Sequence, residues 1–199
     1  MIKNVVIFAD GAFNPPHIAH IEMFLMGKKC MGKHGFNVVK GVMNPSADSY
    51  KKSGMISFEH RNEMCKLLVS KKEYNWIDVE NFDDSNRVEV LKQCHEKTAK
   101  NMVKLKLCKF WTFEELKTIL ENYGMIIEVN SNRPGKDADP IQILDALNLP
   151  IKNVFTVSST DEISSTAIRE AFKNKNYDSL KEIMDENVID YIVSHHFYE

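Results

Sequence analysis

A chain of 199 residues with 43% hydrophobic and 27% charged residues has apolar material for a real core and needs no disulfides to hold it. A formal net charge of −2, with Lys and Arg spread along the chain, argues against a nucleic-acid partner. No apolar run approaches a membrane span and no signal-peptide pattern opens the chain, so the expectation is an intracellular protein, cytoplasmic or nuclear, with no membrane partner.

The first strand is expected at Val5–Phe8, and a helix at Ile18–Lys29 carries Ile18, Ile21, Phe24 and Leu25 on one side. Further strands are expected at Phe36–Met43, Trp76–Val79, Met102–Leu107, Met125–Val129 and Val154–Val157, each short run reading as buried on both faces. Between them lie helices at Phe58–Val69, with Met64, Leu67 and Leu68 inward, and at Arg87–Thr98, poorer in apolar residues. Thr112-Phe-Glu-Glu115 is a capping box, and its helix carries Leu116, Ile119 and Leu120 before stopping at Tyr123-Gly124. Asn130–Pro140 reads as a loop and Ile141–Leu147 as a helix. From Ser165 onward the pattern is helical, with Ala167, Ile168, Ala171 and Phe172 in one stripe and Ile189, Ile192 and Val193 in another. Cys30, Cys65, Cys94 and Cys108 have no C-x-x-C spacing and read as reduced thiols.

This alternation specifies an α/β fold: a doubly wound, mostly parallel, Rossmann-like sheet with a helical C-terminal segment, expected as one domain over residues 1–199. Ligands on such sheets bind at the carboxyl ends of strands, near the point where strand order reverses.

Two motifs carry chemistry. Gly11-Ala-Phe-Asn-Pro-Pro-His-Ile-Ala-His20 follows the first strand and opens a helix. Gly11 lets backbone approach a ligand, the prolines stiffen the turn, and His17 and His20 lie three residues apart on one helix face. Helix N–H groups and imidazoles together make a site for phosphate. Two histidines alone would read as surface residues; the whole string after a first strand favours nucleotide chemistry. Ile163-Ser-Ser-Thr-Ala-Ile-Arg169 opens a late helix. Its hydroxyls alone need be no more than an N-cap, but Arg169 stands one turn beyond Thr166, so hydroxyl and guanidinium can share one phosphate.

The pair of motifs resembles the nucleotidylyltransferase superfamily, and within it the eukaryotic type of nicotinamide/nicotinate mononucleotide adenylyltransferase. That family carries Gly-Ser-Phe-Asn-Pro followed by [His/Thr]-x-x-His, and Ile-Ser-Ser-Thr-x-[Ile/Val]-Arg near its end. Val39-Lys-Gly-Val-Met-Asn-Pro-Ser-Ala-Asp-Ser-Tyr-Lys-Lys52 and Tyr123-Gly-Met-Ile-Ile-Glu-Val129 are similar to two further family segments, in the same order. The resemblance implies transfer of the adenylyl group of ATP to nicotinamide or nicotinate mononucleotide. It implies His17 and His20 as catalytic residues, and Gly11, Ala12, Phe13, His20, Ser165, Thr166 and Arg169 as ATP-binding. Phe13, Asn14, Lys52 and Trp111 are implied for the mononucleotide, and Mg²⁺ as a bridge between ATP phosphates.

The chain departs from the family pattern after Lys104-Leu-Lys-Leu-Cys108, where a Gly-x-Asp segment and a connecting loop are missing before Trp111, and after Trp76-Ile-Asp-Val79, where a longer segment is replaced by Glu80–Asn86. The departures leave open a catalytically impaired, shortened member that binds nucleotides or a protein partner. A relative using another phosphate, such as pantetheine phosphate, and a homo-oligomer also stay open.

Overall fold

The computed structural model describes residues 2–50, 54–82, 87–98, 101–105, 112–130, 139–160 and 162–199. The strands are β1 (Lys3–Gly11), β2 (Phe36–Pro45), β3 (Ile77–Val79), β4 (Asn101–Leu105), β5 (Gly124–Asn130) and β6 (Val154–Ser159). The helices are α1 (Ile18–Lys33), α2 (Phe58–Leu68), α3 (Arg87–Thr98), α4 (Phe113–Asn122), α5 (Pro140–Ala146), α6 (Ser165–Lys173) and α7 (Glu186–Ser194). Short 3-10 turns at Asp48–Tyr50, Lys72–Tyr74 and Asp178–Leu180 carry no periodicity long enough to read from sequence. Residues 106–107 of the expected fourth strand, the loop at 131–138 and Cys108 lie outside the described residues.

The six-stranded sheet has the order β3-β2-β1-β4-β5-β6. Strands β1 and β4, β4 and β5, and β5 and β6 pair in parallel. The chain builds outward from β1 to β3, then returns to β4 beside β1, so the order reverses at β1. Central β1 buries Val5–Ala9 without interruption, as a strand covered on both faces must. The expectation of two-sided burial fails in the outermost strands and in the first half of β2, where Asn37 and Val39 are exposed. In β6, Thr156 and Ser158 are exposed at the period of two, so one face of this strand is not covered. Asp78 of β3 is exposed as well.

The chain divides into two compact units, each assembled from separate stretches. The first comprises Met1–Ala9, Met23–Val42 and Asn86–Glu162. Its core includes Phe8, Met31, Leu91, Ile119, Leu120 and Met125. The predicted capping box is present there: the Glu115 N–H donates to Thr112 Oγ1 (3.2 Å), and the Thr112 N–H donates to the Glu115 carboxylate (2.9 Å).

The second unit comprises Asp10–Glu22, Met43–Ser85 and Ile163–Glu199. Its core includes Ile21, Met64, Leu68, Ile168, Phe172 and Ile192. Helices α2 and α7 pack together, tied by a contact of 2.9 Å between His60 Nδ1 and the Tyr191 hydroxyl. Lys71 pairs at 2.9 Å with Asp185, the buried N-cap of α7. Helix α7 ends in a Schellman motif: His196, at φ +53°, donates its N–H to the Val193 carbonyl, and the Phe197 N–H reaches back to the Ile192 carbonyl.

Cys30, Cys65 and Cys94 are free and buried, and burial pushes the Cys65 thiol far up. No helix among the described residues is long and apolar enough to cross a membrane.

Candidate active site

The second unit contains the turn that follows β1. The Gly11 carbonyl accepts from the Ser46 N–H (2.8 Å), fastening the end of β1 to the segment that leaves β2. Phe13 then adopts φ +44°, a left-handed conformation rare outside glycine, with its ring only 4% exposed. The Asn14–Pro15 bond is cis, Pro16 follows, and α1 begins at Ile18.

The two histidines close this helix start. The His17 N–H donates to His20 Nδ1 (3.1 Å), so the His20 ring, at the third position of α1, takes the reach-back role that Glu or Gln has in a capping box. Accepting through Nδ1 puts the hydrogen of the neutral ring on Nε2. The His17 and His20 rings lie 3.8 Å apart, and Phe13 meets His20 edge-on at 4.9 Å. His17 is 5% exposed, whereas His20 is half-buried, so His20 is the one that keeps access to solvent.

The second motif meets the first. Ser164 caps α6, accepting from the Ala167 N–H at 3.2 Å. Ser165 Oγ donates to the Pro15 carbonyl (3.1 Å), and Arg169 Nη1 donates to the Asn14 carbonyl (2.8 Å). The other Arg169 terminus reaches Thr166 Oγ1 at 3.2 Å, the one-turn pairing that the sequence spacing predicts. Guanidinium and hydroxyl therefore share a place beside the turn, with Arg169 half-buried and Thr166 exposed.

Asn14 differs from its neighbours because its side chain is 3% exposed and engaged inside the protein. Nδ2 donates to the Gly54 carbonyl (2.8 Å), while Oδ1 accepts from the Ile56 N–H (3.1 Å) and the Tyr198 hydroxyl (2.8 Å). Burial raises the Tyr198 phenol, keeping it protonated and able to donate.

Beneath the turn sits Arg61, with 0% exposure. Its Nε donates to the Ile56 carbonyl (2.7 Å) and Nη1 to the Ala12 carbonyl (2.8 Å). Nη2 donates to the Ser46 carbonyl (2.6 Å) and to Asp48 Oδ1 (2.9 Å). One guanidinium thus binds three separate stretches of backbone, a task for which its rigid fork of donors is suited. The Phe58 N–H, and then the Arg61 pairing, hold the Asp48 carboxyl below the usual carboxylate range.

Gly11, Ala12, Phe13, Asn14, His17, His20, Ser165, Thr166 and Arg169, all expected from sequence, lie together in this unit. Lys52 and Trp111 lie outside the described residues. Arg61 and Tyr198 are additions that the quoted segments do not contain, and Asp48, within the Val39–Lys52 segment, gains its role from Arg61. Arg61 had a readable signal, since it shares with Met64, Cys65 and Leu68 the buried i, i+3, i+4, i+7 stripe of α2, where an arginine is out of place unless paired. No group of His, Cys, Asp and Glu among the described residues forms a metal-binding cluster.

Residues 8–171 match the cytidylyltransferase-like family. The chain is 31% identical over 218 residues to a nicotinamide/nicotinic acid mononucleotide adenylyltransferase of Arabidopsis thaliana, covering 98% of this chain and 90% of that protein. It is 25% identical to nicotinamide/nicotinic acid mononucleotide adenylyltransferase 2 of Caenorhabditis elegans, covering 100% and 99%. Among solved structures, Plasmodium falciparum nicotinic acid mononucleotide adenylyltransferase complexed with NaAD is similar in fold, with a TM-score of 0.72 at 21% identity over 98% of this chain and 97% of that one. The chain belongs to the cytidylyltransferase-like family and, within it, to the nicotinamide/nicotinic acid mononucleotide adenylyltransferases.

Proposed function

We propose that the chain transfers the adenylyl group of ATP to nicotinamide or nicotinate mononucleotide, forming NAD or its deamido form and releasing pyrophosphate. The observation that carries this reading is the bond from Arg169 to the Asn14 carbonyl, which joins the two phosphate-type motifs in one place. A 5′-phosphate oxygen attacks the α-phosphorus, the bond to the pyrophosphate oxygen breaks, and no covalent enzyme intermediate is needed. The nucleophile is already charged, so catalysis reduces to positioning and charge stabilisation.

In this reading His20 donates from Nε2 to phosphate oxygens as negative charge builds on them. His17 supports it from beneath by ring packing and by its N–H. Gly11, Ala12 and Phe13 supply backbone at the end of β1, while Ser165, Thr166 and Arg169 hold the triphosphate. Asn14 shapes the mononucleotide side by holding Gly54 and Ile56. Lys52 and Trp111 are proposed to contact the mononucleotide phosphate and ring.

Mg²⁺ would be carried by the triphosphate oxygens, which suits a cation that prefers phosphate and water to a full protein cage; it neutralises phosphate charge when bound. The test is pyrophosphate release from ATP, Mg²⁺ and either mononucleotide. Steady release with formation of the dinucleotide is the expected result. The Gly-x-Asp segment missing before Trp111 favours a second reading, a member that binds nucleotides without turnover. Saturable binding with no pyrophosphate would establish that reading instead.

A further inference from the structure

The residues after α7 do something that a helix end does not require. The Schellman turn at His196 redirects the chain, and Tyr198 follows at φ +68°. Two non-glycine residues in left-handed conformations within three positions cost free energy, so surrounding contacts must hold them there. For Tyr198 those contacts include the Phe172 ring at 6.0 Å and the hydrogen bond to Asn14. Its phenol spans 184 positions of sequence to reach the turn that follows β1. The acceptor atom, Asn14 Oδ1, is the same one that receives the Ile56 N–H. Arg61 binds the Ile56 carbonyl from the other side and the Ala12 carbonyl as well. The turn and the 54–56 segment, two residues beyond Lys52, therefore share one network whose free end is the Tyr198 hydroxyl.

We propose that Tyr198 is a positioning residue for adenylyl transfer, its hydroxyl orienting Asn14 so that the turn after β1 holds the Gly54–Ile56 segment in the register that admits the mononucleotide. This rests on the function proposed above. The ATP side has its own fastenings, Ser165 to the Pro15 carbonyl and Arg169 to the Asn14 carbonyl, neither of which uses the Asn14 side chain. Loss of the Tyr198 hydroxyl therefore acts on one substrate more than the other.

The test is Tyr198→Phe, which keeps the ring and removes the donor. Kinetics with each substrate varied are combined with amide hydrogen exchange by NMR. The Michaelis constant for the mononucleotide should rise about three- to tenfold, the range that one neutral hydrogen bond accounts for. That for ATP should stay within about twofold. The Ile56 amide should exchange faster by a similar three- to tenfold factor, with the Met64 and Cys65 amides of α2 unchanged. An unchanged Ile56 amide overturns the proposal. So does faster Ile56 exchange without a change in the mononucleotide constant, and so does an equal loss of protection throughout α2, which is the mark of a merely structural residue. If the wild-type protein releases no pyrophosphate, the proposed function has failed, and the Ile56 amide alone then decides whether Tyr198 holds the turn.

Discussion

Replacing Arg61 with methionine keeps much of the side-chain volume and removes every donor. Three main-chain carbonyls then lose their partner: Ala12, Ser46 and Ile56. A hydrogen bond from a charged donor contributes about 1.5–3 kcal/mol, so a simple sum over the three would exceed 4 kcal/mol. Two effects reduce it. Ala12, Ser46 and Ile56 are half-buried, so water regains part of what the guanidinium gave. Methionine also escapes the cost of desolvating a charge. The Asp48 pairing adds little, because that carboxylate is 56% exposed and solvent screens it. The net loss should be about 3 kcal/mol, a large share of the 5–15 kcal/mol typical of a folded protein. Urea unfolding followed by circular dichroism measures it. Arg61→Lys should fall between wild type and methionine, since one ammonium cannot reach three carbonyls in a fixed fork. A loss below about 1 kcal/mol for methionine would refute the idea that this one side chain clamps the turn to its neighbours.

Arg169→Ala removes the guanidinium from Thr166 and from the Asn14 carbonyl, and should raise the Michaelis constant for ATP about tenfold or more with a smaller fall in turnover; equal affinity for ATP would move Arg169 to a purely structural role. His20→Ala should lower turnover by about 10²–10³, the usual cost of losing a donor at developing phosphate charge. Its melting point should drop only as far as one lost hydrogen bond worth about 1 kcal/mol allows, and near-normal turnover would show that its ring acts only through that bond. Asp48 is held below its ordinary value of about 3.9, so its contribution is complete above that pH and drains away as pH falls through the lower folded value. Asp48→Asn should therefore flatten the acid limb of the stability curve below about pH 4. An unchanged acid limb in a pH series of thermal melts would contradict that assignment.

Periodicity located the strands and the helices because a parallel sheet writes itself as apolar runs separated by 3.6-residue stripes. Boundaries shifted where caps and edges took over: Asp139 and Pro140 start α5 one residue before Ile141, and β1 runs on past Phe8 to Gly11 under strand pairing. Exposure in β2, β3 and β6 departs from two-sided burial, because which faces the helices cover is not visible in a run of apolar residues. The two motifs were legible because their chemistry is local. Asn14 belongs to the first motif as an expected mononucleotide contact; that its side chain also holds Gly54 and Ile56 is not legible, because no rule of spacing indicates which way an asparagine points. Tyr198 was invisible, since nothing in a single sequence couples it to a residue 184 positions earlier.

The interleaved build of the second unit has a consequence during synthesis. Asn14 leaves the ribosome first, and the guanidinium that fastens its carbonyl follows 155 residues later. At about 5–20 residues per second that interval is about 8–30 s. Throughout it the Asn14 carbonyl waits for its last fastening, while Arg61 emerges 49 residues after the Ala12 carbonyl it binds. A nascent chain that has released Arg61 but not Arg169 would therefore carry the inner clamp while the Asn14 carbonyl still lacks its late partner.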